Sequence, residues 1–445
     1  MEKDIEPAIK NFTQQLIQKI QNNNIHIISH FDTDGITSAA ILTKTLNRLG
    51  KQFSTKIIKQ LNQEEINLFP RDKIIILLDL GSGNINELSK LKNTLFIIDH
   101  HEIKENPKNL VILNPHLCEN YQDLCAAELT YLVSKEISND NKDLAQLAIL
   151  GMIGDTMEKE INKTRNQIIK DANIIIKKGV LIYPSTRPLN KALEYCSRPF
   201  IPGVTGDSRG TYDILEEAGI EKIGKCYKAL IDLNEQEMKN LATAITLRLS
   251  SKEASKHLGN LYLLKFFNKI EDAREISAII NACSRMDQPE TALLFCLGNS
   301  QARKKAERIY VKYRQHIITG LKYIENNGNI EGKKYIIINT KNNVKDTIIG
   351  TLASILSFSS IYKEGTIIIA MAYNEDKIKV SARMAGRNSK SARNLKELMD
   401  SITHSLGQGE SGGHKHAAGC TISMEHEERF IDLVKRKLDV EMVKV

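Results

Sequence analysis

Four short segments near the start of the chain carry side chains able to hold metal ions. They are His30-Phe31-Asp32-Thr33-Asp34-Gly35, Asp79 in LLDLGSG, Asp99-His100-His101, and Asp155 in GMIGDT. Imidazole nitrogen with carboxylate oxygen suits Mn²⁺, Fe²⁺ or Zn²⁺, and a set this rich in carboxylates favours Mn²⁺ or Mg²⁺. Four or more carboxylates converging on one ion would leave strong mutual repulsion, so two divalent ions are the natural solution. Two ions roughly 3.5–4 Å apart can activate a water and stabilise the leaving oxygen of an in-line phosphoryl displacement.

Taken singly, each segment has a plainer reading. Asp34 could cap a helix opening at Ile36, Asp79 or Asp155 could bond a loop, and adjacent histidines arise by chance. Their joint occurrence at the ends of apolar runs in one plausible sheet, with Asp155 also read as strand-terminal, points to a metal centre. Alternation along the first segment turns His30, Asp32 and Asp34 in the same general direction. Gly35 permits a tight turn into the helix that follows.

The elements that must position these residues are legible as alternating strands and helices. IHIISH (25–30), IIILLDL (74–80) and LFIID (95–99) read as buried strands, with helical stretches after the first and at 122–137 and 142–150. Continuous Ile/Leu strands alternating with helices indicate a parallel sheet covered on both faces, in which chemistry collects at the carboxyl ends of the strands. The fold class is therefore α/β, with a parallel-sheet catalytic domain over residues 1–185. A Pro/Gly-rich stretch (186–210) opens a linker and mostly helical insertion, 186–332. Within it, 300–325 places Ala302, Ala306, Ile309, Tyr313, Ile317 and Leu321 on one helical face and Arg303, Lys304, Lys305, Arg308, Lys312 and Arg314 on the other, which reads as a solvated face before a nucleic-acid or partner surface. Residues 333–445 form a smaller α/β domain. It comprises a strand at 334–339, a helix at 344–358, a strand pair at 366–373 and 377–383, a helix near 390–404, a glycine-rich loop and a strand at 418–424.

The chain has 445 residues with 62 Lys and Arg against 54 Asp and Glu, enough for two or three domains with real cores. Its seven cysteines form no CxxC pair, which argues against a disulfide framework or a cysteine zinc site. No apolar run is long enough to span a bilayer, and MEKDIEPAIKNFTQQ lacks a signal core, so a cytoplasmic enzyme is expected. Positive charge is uneven: 22 basic and 23 acidic residues lie up to residue 180, and 40 and 31 lie after it. A polyanionic partner would meet its basic surface mainly in the second part of the chain.

HFDTDG, LLDLGSG, IDHHEI and GMIGDT resemble, in order and separation, the four motifs of the DHH phosphoesterases. SGGHKHAAG (411–419) resembles the GGGHxxAAG signature of that family's accessory C-terminal domain, with Ser411 where its first glycine usually stands. The resemblance implies that His30 and Asp32 hold one metal and Asp34, His100 and Asp155 the other, with Asp79 bridging. It further implies that His101 faces the scissile phosphate while Asp99 orients the imidazoles, and that a hydroxide between the ions is the nucleophile. Asn114-Pro115 and the helix opening at CAAEL (125–129) would shape the wall. Gly412, Gly413, His414 and Arg383 would grip substrate phosphate, with Arg387, Lys390 and Arg393 adding charge nearby.

The long insertion and the segment 272–299 resemble the archaeal RecJ-like branch, whose members join GINS at the replication fork. That branch implies a Mn²⁺-dependent (or Mg²⁺-dependent) exonuclease acting on single-stranded nucleic acid, DNA first with RNA as a further substrate, usually 5′ to 3′. Two other readings follow from the same family. One is a structural replisome subunit joining GINS and the replicative helicase with little catalysis; the other is a short-oligonucleotide phosphoesterase.

Overall fold

The computed structural model describes residues 4–21, 23–103, 110–196, 199, 201–249, 257–359, 361–386, 393–407 and 409–440. The chain divides into two compact units, Met1–Tyr310 and Val311–Val445. Among the described residues no helix is long and apolar enough to cross a membrane.

The first unit opens with α1 (Ile5–Ile20), β1 (Ile25–His30), α2 (Thr33–Arg48), β2 (Phe53–Ile58), α3 (Gln63–Asn67), β3 (Ile74–Leu78), α4 (Ile85–Leu88), β4 (Leu95–Ile98) and β5 (Val111–Leu113). All five strands pair in parallel in the order β2-β1-β3-β4-β5. The chain leaves β1 toward β2, then returns to the other side of β1 for β3. The adjoining carboxyl ends of β1 and β3 are therefore the point where the winding reverses, which is where doubly wound sheets open a crevice. Every residue of β3 and β4 is buried. Ile25, Ile27, Ile76 and Ile98 pack on one face with α1 and α2, and Ile28, Ile75, Leu77 and Ile97 pack on the other with α3 and α4. Burial on both faces is why these strands read as unbroken apolar runs rather than alternating ones.

After β5 come α5 (Ala126–Ile137), α6 (Ala145–Gly154) and α7 (Lys163–Ala172), then β6 (Ile175–Val180), α8 (Leu189–Glu194), α9 (Ser208–Glu217), the two-residue strands β7 (Lys222–Ile223) and β8 (Cys226–Tyr227), and α10 (Glu235–Arg248). The segment expected to be mostly helical also contains β9 (Leu258–Phe266) and β10 (Lys269–Asp272). They join β6 in an antiparallel sheet of order β10-β9-β6. Leu261–Leu264 is a short buried apolar run, and so short a run does not by periodicity alone separate strand from buried helix. Helices α11 (Ala273–Arg285), α12 (Pro289–Cys296) and α13 (Ser300–Asn326) follow. The expected inner face of α13 is buried at Ala302, Ala306, Ile309 and Tyr313. Arg303, expected on the solvated face, is ion-paired with Glu271 at 2.6 Å and Glu307 at 3.0 Å.

The second unit is a six-stranded mixed sheet built from β11 (Ile330–Gly332), β12 (Tyr335–Asn339), β13 (Ile367–Asn374), β14 (Lys377–Met384), β15 (Glu410–His414) and β16 (Ala417–Ser423), in the order β11-β12-β13-β14-β16-β15. Helices α14 (Asp346–Phe358), α15 (Leu395–Leu406) and α16 (Glu427–Val440) complete it. The glycine-rich stretch expected as a loop is strand β15, paired antiparallel with β16 so that Gly412 faces Gly419 and His414 faces Ala417. Low strand propensity in SGGH is overridden by the register that β16 imposes.

Candidate metal centre

β1 delivers His30 as its last residue, and the chain turns at once into α2. Asp32 is the N-cap of that helix, its carboxylate accepting the Gly35 N–H at 3.0 Å. The helix therefore opens at Thr33 rather than Ile36, with Asp32 and not Asp34 doing the capping. Gly35 is a helical residue whose role is close approach: a Cβ there would lie 2.2 Å from the His30 carbonyl oxygen. His30 and Asp32 face one another, with His30 Nδ1 3.1 Å from Asp32 Oδ2.

Asp34 points elsewhere. It is fully buried, and its two oxygens accept the N–H groups of Ala126 and Ala127, each at 2.8 Å. These are orphan donors of the first turn of α5, where the helix dipole also favours negative charge. The CAAEL segment thus contributes backbone donors to the site as well as forming its wall. Gly151 in α6 permits this packing, since a Cβ there would meet Ala127 Cβ at 2.4 Å and Asp34 Oδ1 at 2.7 Å.

Asp79 follows β3 in a left-handed conformation, φ +57°, which is uncommon for a residue with a side chain. Its Oδ2 lies 3.1 Å from His30 Nδ1, and its Oδ1 lies 3.4 Å from His100 Nε2 and 3.7 Å from His101 Nδ1. Oδ1 is buried yet accepts no hydrogen bond. Asp99, just beyond β4, is buried with both oxygens engaged. Oδ1 takes the His100 N–H at 2.8 Å and faces His101 Nδ1 at 2.7 Å, and Oδ2 takes the Ser82 N–H at 2.9 Å. Asn114 donates to Ser82 Oγ and to the His101 carbonyl.

Asp155 does not end a strand, as its apolar approach implied. It is the C-cap of α6, because the uninterrupted apolar stretch before it is a buried helix. Its Oδ2 lies 3.1 Å from His100 Nε2, which is also 3.8 Å from Asp34 Oδ2.

Three overlapping groups result: His30, Asp32 and Asp79; Asp34, His100 and Asp155; and Asp79, His100 and His101. Within each, the ligand atoms lie within 4.8 Å of one another and could hold a metal ion. The electrostatics agree with a cation site. Burial raises the Asp34 carboxyl well above its usual value, and Asp155 and Asp79 push it further. Burial likewise raises Asp79, helped by Asp32. Burial opposes charge on His100, yet Asp155, Asp79 and Asp34 overcome it and raise the imidazole to about 12. His30 is also held well above its usual value, Asp32 and Asp79 outweighing burial. Positive charge is drawn to carboxylates that cannot all ionise together. With a buried carboxylate oxygen that accepts no hydrogen bond and a donor set of carboxylates and imidazoles, these residues fit divalent metal ions of the Mn²⁺ or Mg²⁺ kind.

In the second unit, Arg383 on β14 is partly buried. Its Nε donates to Ser354 Oγ at 3.0 Å, and its Nη1 to the carbonyls of Ala382 and Ala418. Gly412, Gly413 and His414 are exposed on β15, the edge strand, so alternate backbone groups along it face away from β16. Ser411 donates to Asp400 Oδ1 at 2.7 Å, which gives its hydroxyl a local partner. Arg393 donates to the Leu438 carbonyl at 3.4 Å, while Arg387 and Lys390 lie outside the described residues.

Sequence reasoning missed two buried residues beside the centre, Glu128 and Arg165. Glu128 Oε2 accepts the Cys125 N–H at 3.0 Å, and Arg165 is bidentate on Glu128 at 2.7 and 2.8 Å. Cys125-x-x-Glu128 has capping-box spacing, a usable signal for Glu128. Nothing in the sequence marks Arg165.

Three family models match the chain: the DHH family N-terminal domain over residues 24–152, the DHH-CID domain over 182–259 and the DHHA1 domain over 332–439. An uncharacterized protein of Methanocaldococcus jannaschii is 28% identical over 448 residues, 96% of each chain. RecJ from Thermus thermophilus, solved with Mn²⁺, shares the fold with a TM-score of 0.61 at 17% identity over 97% of this chain and 54% of that one. This chain thus spans about half of that enzyme's length. CDC45 from Entamoeba histolytica has a TM-score of 0.67 at 12% identity over 96% of this chain and 98% of its own. Carrying three DHH-associated domains in order on this shared architecture, the chain belongs to the DHH phosphoesterase family and is RecJ-like in fold.

Proposed function

We propose that this protein is a metal-dependent exonuclease that hydrolyses phosphodiesters of single-stranded DNA, and of RNA, from the 5′ end. The observation that carries the reading is Asp79, one buried carboxylate whose oxygens face the imidazoles of His30 and His100 while Oδ1 accepts no hydrogen bond. In this reading His30 and Asp32 hold one ion, Asp34, His100 and Asp155 hold the second, and Asp79 serves both. Mn²⁺ suits the set best, with Mg²⁺ the alternative; the T. thermophilus RecJ was solved with each. Such a pair, when bound, activates water and stabilises the leaving oxygen of an in-line displacement.

The remaining work falls to side chains. Asp99 beside Nδ1 of His101 keeps that nitrogen protonated, which leaves Nε2 for the scissile phosphate. His101 is half-exposed, as a residue meeting substrate must be. In the second unit His414, Arg383 and the amides of Gly412 and Gly413 anchor substrate phosphate. GINS and the replicative helicase are the partners that the family resemblance supplies.

The likeness to CDC45 across nearly the full length of both chains favours a second reading, a structural subunit joining GINS to the helicase. Against it stands the complete ligand set, since six converging metal-binding residues plus His101 serve no structural end. Product analysis separates the two. Single-stranded DNA and RNA labelled at either end, incubated with Mn²⁺, should yield mononucleotides from the 5′ end and leave blunt duplex intact. Resistance of every strand, together with capture of GINS, would favour the structural reading.

A further inference from the structure

Arg165 on α7 is wholly buried and makes contacts on two sides of the metal centre. Its guanidinium forks onto both oxygens of Glu128, and Glu128 Oε2 also holds the Cys125 N–H, so the first turn of α5 is clamped. That turn supplies the two N–H groups that fix Asp34. The same guanidinium donates to the Asp123 carbonyl at 2.8 Å, just ahead of α5, to the Met157 carbonyl at 3.1 Å, and to the Glu160 carbonyl. Met157 and Glu160 lie on the loop that follows Asp155. One side chain therefore holds the backbone bearing Asp155 and the helix end gripping Asp34. None of these contacts reaches His30, Asp32 or Asp79, at the end of β1, the N-cap of α2 and the end of β3.

We propose that Arg165 is a positioning residue for one half of the metal centre, the half formed by Asp34, His100 and Asp155, and not for the half formed by His30, Asp32 and Asp79. The proposal rests on the two-ion reading above. Planar bidentate geometry is essential to it: lysine keeps the charge but cannot fork onto Glu128 and reach the carbonyls beyond.

The test is a Mn²⁺ binding isotherm on the full chain, wild type against Arg165→Lys and against the neutral pair Glu128→Gln with Arg165→Met. Leu241→Ala, in a separate cluster of the first unit's core, serves as a destabilised control. The wild type should bind two ions. Both brace variants should bind one of them about 10–100-fold more weakly, the range for lost outer-shell support of metal ligands, and the other unchanged. The control should bind both as wild type. Two unchanged affinities in a folded brace variant would overturn the proposal, as would equal weakening in Leu241→Ala. A wild type that binds no Mn²⁺ would instead defeat the underlying reading, before any variant is compared.

Discussion

Asp99 Oδ1 lies 2.7 Å from Nδ1 of His101, two residues along the chain. The same oxygen takes the His100 N–H, so a single buried carboxylate sets the orientation of the DHH turn. This hydrogen bond raises the His101 imidazole above its ordinary value against the opposing effect of burial. A histidine held this way can present a proton to a phosphate oxygen. We expect His101→Ala to lower kcat by about 10²–10⁴-fold, the usual scale for a lost acid–base group, with Mn²⁺ affinity retained. Loss of the metal along with activity would make His101 a ligand, in the group it forms with Asp79 and His100.

Asp79→Asn should make the metal-free protein more stable while removing metal binding. Asparagine tolerates the left-handed backbone at φ +57°, and the substitution removes one of several mutually repelling carboxylates. Removing repulsion at a functional site commonly gains about 0.5–2 kcal/mol. Thermal unfolding should show Tm a few degrees higher without metal and no rise on adding Mn²⁺. An unaltered Mn²⁺-induced shift would show that Asp79 is not a ligand.

Metal binding should release protons. His100, raised to about 12, carries its proton at neutral pH in the metal-free protein. Between its ordinary value of 6.5 and about 12 the folded chain holds one more proton at this group than the unfolded chain. Its contribution is thus complete below pH 6.5 and declines by up to about 1.4 kcal/mol per pH unit as pH rises through that window. A divalent ion competes with the same proton, so the Mn²⁺-induced rise in Tm should grow from pH 6 to pH 8. Calorimetry in buffers of different ionisation enthalpy should register net proton release. A pH-independent shift with no released proton would contradict the assignment of His100.

His414 and Arg383 should behave differently when truncated, although both were expected to anchor substrate. His414 is exposed on the edge strand β15, so His414→Ala should raise KM about tenfold with Tm and kcat unchanged. The Arg383 side chain bonds Ser354, Ala382 and Ala418, so Arg383→Ala should also lower Tm. Unchanged KM in both variants would move the anchor away from β14 and β15.

Much of the centre was legible because parallel strands advertise themselves. Ile74–Leu78 and Leu95–Ile98 are apolar without a break, and the polar residue that stops each run stands at the mouth of the sheet. Asp155 was legible by type and not by place, since a fully buried helix such as Ala145–Gly154 shows the same unbroken apolarity as a buried strand. The division of labour between Asp32 and Asp34 was hidden for a different reason. It depends on α5 presenting its first turn to Asp34 from 92 residues away, a tertiary contact with no local trace. Arg165 belongs to the same class: its partners lie on two separate segments, 123–128 and 157–160, and only their convergence gives it a role.

The central claim is tested most directly by a time course of single-stranded oligonucleotide hydrolysis with purified protein, with and without Mn²⁺, beside Asp34→Ala and His100→Ala at matched fold by circular dichroism. The account requires Mn²⁺-dependent release of mononucleotides by the wild type and none by either variant. Full cleavage by either folded variant, or by the wild type in the presence of a metal chelator, would contradict it.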